Sequence, residues 1–291
     1  MYVFNYVHVG WSNTGNMNYA RDGHTSTVLV NGNVLVCGGT NDESSVNSAE
    51  LYDPLTETWT TTHKMKYARA SHTASVLQDG RVLVTGGGGY MDGVYLNSAE
   101  LYDPLTGIWT TTMNMNIARE EHTASVLQNG KVLIAGGTNG EHINSAELYD
   151  PSTETWTITG RMNDERHAHT ASVLTDGKVL VSSGGPYSAE LYDPSTGNWT
   201  LTNNMSDARY IHTASLLKNG KVLITGGYIA GVFLNSVELY DPSTGKWTSM
   251  NNMNSKRWVH TASVLMNGKV LVAGGVDNIS SLNSAELYEP F

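Results

Sequence analysis

The chain has 291 residues, 15% of them charged, with a net charge of −10; it is long enough for one large domain or two modest ones. That acidic balance argues against nucleic acid and against an anionic membrane surface as partners, and no window approaches 18 consecutive apolar residues. A lone cysteine forms no internal disulfide and excludes any site built on two thiolates of one chain.

The chain opens on Tyr2-Val-Phe-Asn-Tyr6, which stands in register with Glu50–Pro54 further along, and Trp11 follows. From Met17 onward one unit recurs six times. Its histidines are His24, His72, His122, His169, His212 and His260, at spacings of 48, 50, 47, 43 and 48. Tryptophans 11, 59, 109, 156, 199 and 247 keep the same intervals. Within each unit, a His-Thr-Ala-Ser-Val-Leu-like segment alternates as a strand does. An Asn-Gly or Asp-Gly pair follows and predicts a two-residue type I′ hairpin with positive φ at both residues. A Val-Leu-Val/Ile run, apolar on both faces, predicts a covered second strand ending at Gly-Gly. The third strand is Ala-Glu-Leu-Tyr or a close variant, and Asp-Pro then opens a turn. The fourth begins at Trp and runs through threonines. No stretch sustains a 3.6-residue period, so no helix is expected.

The last unit stops at Glu286-Leu-Tyr-Glu-Pro-Phe291 without a fourth strand, while Trp11 precedes Met17 as Trp59 precedes Met65. The expected architecture is therefore an all-β, six-bladed propeller occupying residues 1–291, with four antiparallel strands per blade. The last blade is closed by the N-terminal strand, which removes exposed sheet edges. The blades fall at roughly 17–62, 65–112, 115–160, 162–202, 205–250, and 253–291 plus 1–14. Residues 1–8 are expected as a peripheral strand or loose tail. A chain starting in mid-blade also suggests a piece of a longer protein.

Gly-Gly after the second strand, Tyr in the third and Trp six or seven residues beyond resemble the kelch repeat, over essentially the whole chain. The segment from Arg-x-x-His-Thr-Ala to Glu-Leu-Tyr-Asp-Pro is similar to the subtype of galactose-oxidase-like propellers. The resemblance implies a β-propeller used for protein interaction in most members and for catalysis in a minority.

Residues repeated in every blade are expected to serve every blade, so function is sought where the pattern breaks. The repeat tryptophans, tyrosines and histidines are read as structural, with an axial histidine metal ring as the weaker alternative. Arg21, Arg69, Arg119, Arg166, Arg209 and Arg257 form one ring and Glu50, Glu100, Glu147, Glu190, Glu238 and Glu286 another. Arg–Glu pairing is the favoured reading, and a solvent-facing arginine crown open to acidic ligands is the alternative. The loops between Gly-Gly and the third strand share a rim with the segments leading into the first strand. Blade four has only Pro186-Tyr187 there. A notch is expected, rimmed by Asp164, Glu165, His167 and Tyr187, with Glu141 and His142 on one side and Tyr210 and Tyr228 on the other. Trp258 is an off-repeat tryptophan suited to anchoring a partner. The competing reading is that loop lengths simply drift.

The galactose-oxidase resemblance would imply copper held by two tyrosines and two histidines, with a Tyr–Cys thioether. Cys37 precedes Gly38-Gly39 in a slot assigned to Thr85, Ala135, Ser183, Thr225 and Ala273 elsewhere, so it reads as a small core residue. A sialidase Asp box fails on register, since Gly197 lies two residues before Trp199. No cofactor is expected. The expected function is a non-catalytic, monomeric binding scaffold that takes a protein or peptide on its loop face; the alternative is a glycan-binding lectin or degenerate oxidase. No signal peptide is evident, and three sequons leave localisation open.

Overall fold

The structure, a computed structural model, describes residues 14–41, 43–89 and 93–290. Among these there are six blade sheets, no helix, and two short ribbons at Thr40–Asn41/Ser44–Ser45 and Tyr228–Ile229/Val232–Phe233. Five sheets have four antiparallel strands in chain order; the first is Thr25–Val28, Val34–Cys37, Ala49–Asp53 and Thr58–Thr61. The sixth shows three: Thr261–Val264, Val270–Ala273 and Ala285–Tyr288. The expected closing strand lies outside the described residues, apart from Thr14.

The predicted strands form in the predicted order because each turn is chemically specified. In the Asp-Pro turn, Asp53 Oδ1 accepts the Leu55 amide, as Asp103 accepts that of Leu105. The first hairpin differs from the type I′ expectation. Only its glycine has positive φ (Gly32, 88°), and the Gly32 amide donates to the Leu29 carbonyl. Asn31 instead uses its side chain, accepting the Asn33 amide. The loop is thus a type I turn closed by a left-handed glycine, the common longer hairpin.

The second strands are buried on both faces, as in Val82–Thr85 and Val132–Ala135. The core lies between blades. Leu29, Leu35, Cys37 and Ala49 of blade one pack with Met65, Val82, Val84 and Tyr102 of blade two, and Trp109 seals the edge. Equivalent clusters join each following pair. A cross-strand Tyr–Trp pair stands in each of blades one to five, with centroids 4.8–5.0 Å apart. The tryptophan therefore acts as an inter-blade wedge, at about 150–250 Å² of burial per ring.

Polar contacts cross the same junctions. Each repeat histidine from His72 to His260 meets the threonine of the preceding blade through Nε2, at 2.9–3.1 Å. In blades one, two, three and five the second glycine of the pair donates its amide to the next blade's arginine carbonyl, as Gly39 does to Arg69 at 2.9 Å. The first glycine has no room for a side chain. A Cβ on Gly38 would lie 2.5 Å from the Arg69 carbonyl oxygen, at φ of +65°.

Blade four corrects the sequence alignment at this point. Ser182, not Ser183, pairs with Ala189 and holds the Cys37 slot. Ser183, at φ 55°, replaces the first glycine, and Gly184 makes the bond to Arg209. Elsewhere the arginine amide donates to a loop carbonyl, such as that of Val46 for Arg69. The truncated loop has no such residue, and the buried Ser183 hydroxyl accepts the Arg209 amide at 2.6 Å instead.

Candidate binding site at the axial mouth

The repeat arginines are the pillars beneath the loop face. Arg69 Nη1 donates to the carbonyls of Gly86 and Ser98, and Nη2 donates to Ser98 Oγ and to Glu100 Oε1 at 2.9 Å. All six arginines pair this way with the third-strand glutamate at 2.7–3.1 Å, and their side chains are fully buried. Each glutamate also accepts two backbone amides, as Glu147 does from Asn116 and Ile117. The arginine crown, retained as an alternative among the candidate binding residues, is corrected here: no guanidinium of the set is available to a ligand.

Fixing the arginine fixes the two residues after it. The first, Asp22, Ala70, Glu120, Tyr210 or Trp258, pairs through its backbone with the segment after Gly-Gly. That pairing places both sets of loops on one face, as expected. In blade four only the His167 amide reaches across, to the Gly184 carbonyl. The second residues, Gly23, Ser71, Glu121, Ala168, Ile211 and Val259, all lie at φ between 48° and 57°. Their amides link successive blades: Ser71 donates to Gly23, Glu121 to Ser71, Ala168 to Glu121, Ile211 to Ala168 and Val259 to Ile211. The left-handed backbone costs about 1–2 kcal/mol per non-glycine residue, offset by the inter-blade bond it allows.

On this framework the first-position residues differ in every blade, and they divide the mouth into two halves. One half is acidic. Glu120 and Glu121 are held above the ordinary carboxylate range, first by burial, with Glu121 adding repulsion at Glu120 and His142 opposing the shift at Glu121. The other half is aromatic. His142 stacks on His167 at 4.2 Å, and His167 meets Tyr210 at 4.9 Å. Tyr228, Phe233 and Trp258 form a second group at 5.5–5.6 Å. Burial, then the adjacent His142, holds His167 below the usual imidazole range.

The expected notch is thus partly assembled. His142, His167 and Tyr210 come together, and Tyr228 joins Trp258 in the neighbouring group. Asp164 is a supporting residue, corrected from a free rim carboxylate: Ser188 Oγ donates to it and the Arg166 guanidinium lies 3.6 Å away. Blade five repeats this with Asp207, Ser236 and Arg209. Glu141 and Glu165 are exposed, and Tyr187 is 58% exposed with no ring contact among the described residues. Sequence reasoning missed Asp22, Glu120, Glu121 and Phe233. The signal for the first two was present: the residue after the repeat arginine reads Asp, Ala, Glu, His, Tyr, Trp around the blades.

Cys37, the one thiol from which a Tyr–Cys thioether could form, is a core residue and stands apart from the His142–His167–Tyr210 group. Cys37 is fully buried, with its thiol against Thr25 and His72 and raised to about 11 by burial. The histidines from His72 to His260 turn Nε2 to threonines. Among the described residues, no three His, Cys, Asp or Glu side chains converge on one point.

Six repeating sheets, each braced by its own Arg–Glu pair, with His–Thr contacts and tryptophan wedges between consecutive blades, define a kelch-type β-propeller. Residues 1–185 match the KLHDC2/KLHL20/DRC7 Kelch-repeats domain, and residues 212–254 and 257–290 match the Kelch motif. The chain belongs to the kelch-repeat family. No curated protein matches its sequence. Among solved structures it is similar to a fungal alcohol oxidase of the AA5 family, in complex with copper. The TM-score is 0.76 at 19% identity, over 93% of this chain and 63% of the oxidase. That likeness concerns the fold, and the chain spans less than two thirds of the oxidase's length.

Proposed function

We propose that this propeller is a non-catalytic binding module that takes a protein or peptide partner at the axial mouth. The observation that carries this reading is the arrangement of non-repeating residues: carboxylates on one half, stacked aromatic rings on the other. Such a surface suits a basic peptide. A Lys or Arg side chain can lie over the Tyr210 or Trp258 ring, worth about 0.5–2 kcal/mol, while a second basic group meets Glu120 and Glu121. The test is a binding screen of basic, neutral and acidic peptide pools against the intact chain. Basic peptides should be selected, and Tyr210→Ala and Glu120→Gln should each weaken binding about tenfold, or about 1.4 kcal/mol. Unchanged affinity in both variants refutes the site.

A glycan is the second reading, favoured by the half-buried aromatic rings beside carboxylates. A glycan array separates the two, since a sugar ligand should bind without a basic group. Loading with copper and assaying galactose oxidation checks the non-catalytic assignment; turnover would overturn it.

A further inference from the structure

Five junctions between consecutive blades share one set of contacts, and the described residues do not show that set between blade six and blade one. The Gly275 amide, whose counterparts each donate to an arginine carbonyl of the next blade, has no such acceptor among the described residues. Thr261 Oγ turns to the Ala273 carbonyl at 3.5 Å rather than to a histidine. His24 has no threonine partner among the described residues, in contrast to His72 through His260. The apolar side agrees. Leu287 is 55% exposed where its counterpart Leu101 is 1% exposed, and Ala285 is exposed where Ala49, Ala99, Ala146 and Ala189 are buried. On blade one, Val28 is 67% exposed.

Two further features say what belongs there. Tyr288 has no ring partner among the described residues, and beside it lies a cleft of about 260 Å³ lined by Val237, Met250, Met253 and Val272. In blades one to five, a fourth-strand tryptophan packs against the equivalent tyrosine. On the far side, Thr14 Oγ1 contacts the Tyr52 hydroxyl at 2.6 Å, and the Gly15 amide donates to Glu57. Thr62 contacts Tyr102, and Gly160 donates to Gly197, in the same sense at later junctions. Thr14 therefore sits on blade one as Thr62 sits on blade two, while among the described residues no strand pairs with the outer edge of the third strand of blade six.

We propose that the sector between blade six and blade one is a docking site for one further unit of this same repeat. The five formed junctions specify its chemistry. It would place a fourth-strand tryptophan in the cleft beside Tyr288, an arginine carbonyl on the Gly275 amide and a histidine Nε2 on Thr261. Toward blade one it would offer a threonine to His24 and a Gly-Gly amide to the Arg21 carbonyl. This goes beyond the peptide reading of the axial mouth and does not depend on it.

The experiment uses thiol labelling of Leu287→Cys in a Cys37→Thr background, threonine being native at that position in blades two and five. Leu101→Cys in the same background is the protected reference. In the chain alone, Leu287→Cys should react on the order of 100-fold faster than Leu101→Cys. A second protein carries a duplicate of residues 105–151 after Pro290, and there Leu287→Cys should become protected and the thermal midpoint should rise. Ala285→Cys provides the same readout if Leu287→Cys folds poorly. Protection in the chain alone that Trp11→Ala removes would mean that the N-terminal strand fills the sector, and would overturn the proposal. Unchanged labelling in the extended protein would overturn it as well.

Discussion

Ser183 shows how one side chain absorbs a deleted loop. Its hydroxyl accepts the Arg209 amide, a group that other blades satisfy with a loop carbonyl. Ser183→Ala should therefore cost about 1–3 kcal/mol, because a buried amide loses its acceptor. Ser172→Ala, in the first strand of the same blade, should cost less, and urea midpoints of the two variants make the comparison. The Arg–Glu pillars should be harsher. Arg119→Ala strands Glu147 in the interior and should destabilise by about 3–5 kcal/mol. Arg119→Lys should recover only part of that, since an ammonium cannot span the two carbonyls, the Ser145 hydroxyl and Glu147 together. The pairing was legible from equal numbers at fixed phase. The serine was not, because Gly184-Gly185 looks like the repeat dipeptide when only spacing is available.

Strands and turns were legible almost throughout, since each depends on local chemistry that recurs in every unit. The hairpin type was misread because Asn-Gly fits two turns, and the flanking register decides between them. The wedge tryptophans share one role but differ at the indole nitrogen. Trp59, Trp156 and Trp199 donate Nε1 to the carbonyls of Gly15, Met113 and Gly160. Those of Trp109 and Trp247 are buried without a partner. Trp199→Phe should thus cost about 1 kcal/mol more than Trp109→Phe, read as the difference in denaturation free energy. Trp109→Ala should cost about 3–5 kcal/mol by opening the cluster around Tyr102.

Taken together, the buried histidines make the propeller acid-sensitive. Burial, then the nearby arginine charge, lowers His72 and His169 to about 3 and His260 to about 4, with His122 and His212 also well below 6.5. The unfolded chain takes up these protons near pH 6.5 while the folded chain does not, so stability is full above 6.5 and falls as the pH drops toward 3–4. At pH 5 each of His72, His169 and His260 costs about 2 kcal/mol, and His122 and His212 add to the loss in the same direction. Lowered carboxylates such as Glu50 add a loss at still lower pH. Guanidinium titrations at pH 7.5, 6 and 5 should show a steep decline, and equal midpoints would refute the buried neutral rings. The histidine positions were plain in the sequence. The two-sided mouth was not, because it needs residues from four blades to meet around an axis.

The amide chain through the left-handed residues has one more consequence. It reads backbone, not side chains, so each blade accepts its neighbour without checking which neighbour it is. Among the described residues these amide bonds are alike at all five seams, so they leave the order of the blades to the covalent thread. A gene that lost or gained one repeat would present matching edges on either side of the change, and sector number could drift over evolutionary time while the seam itself stayed constant.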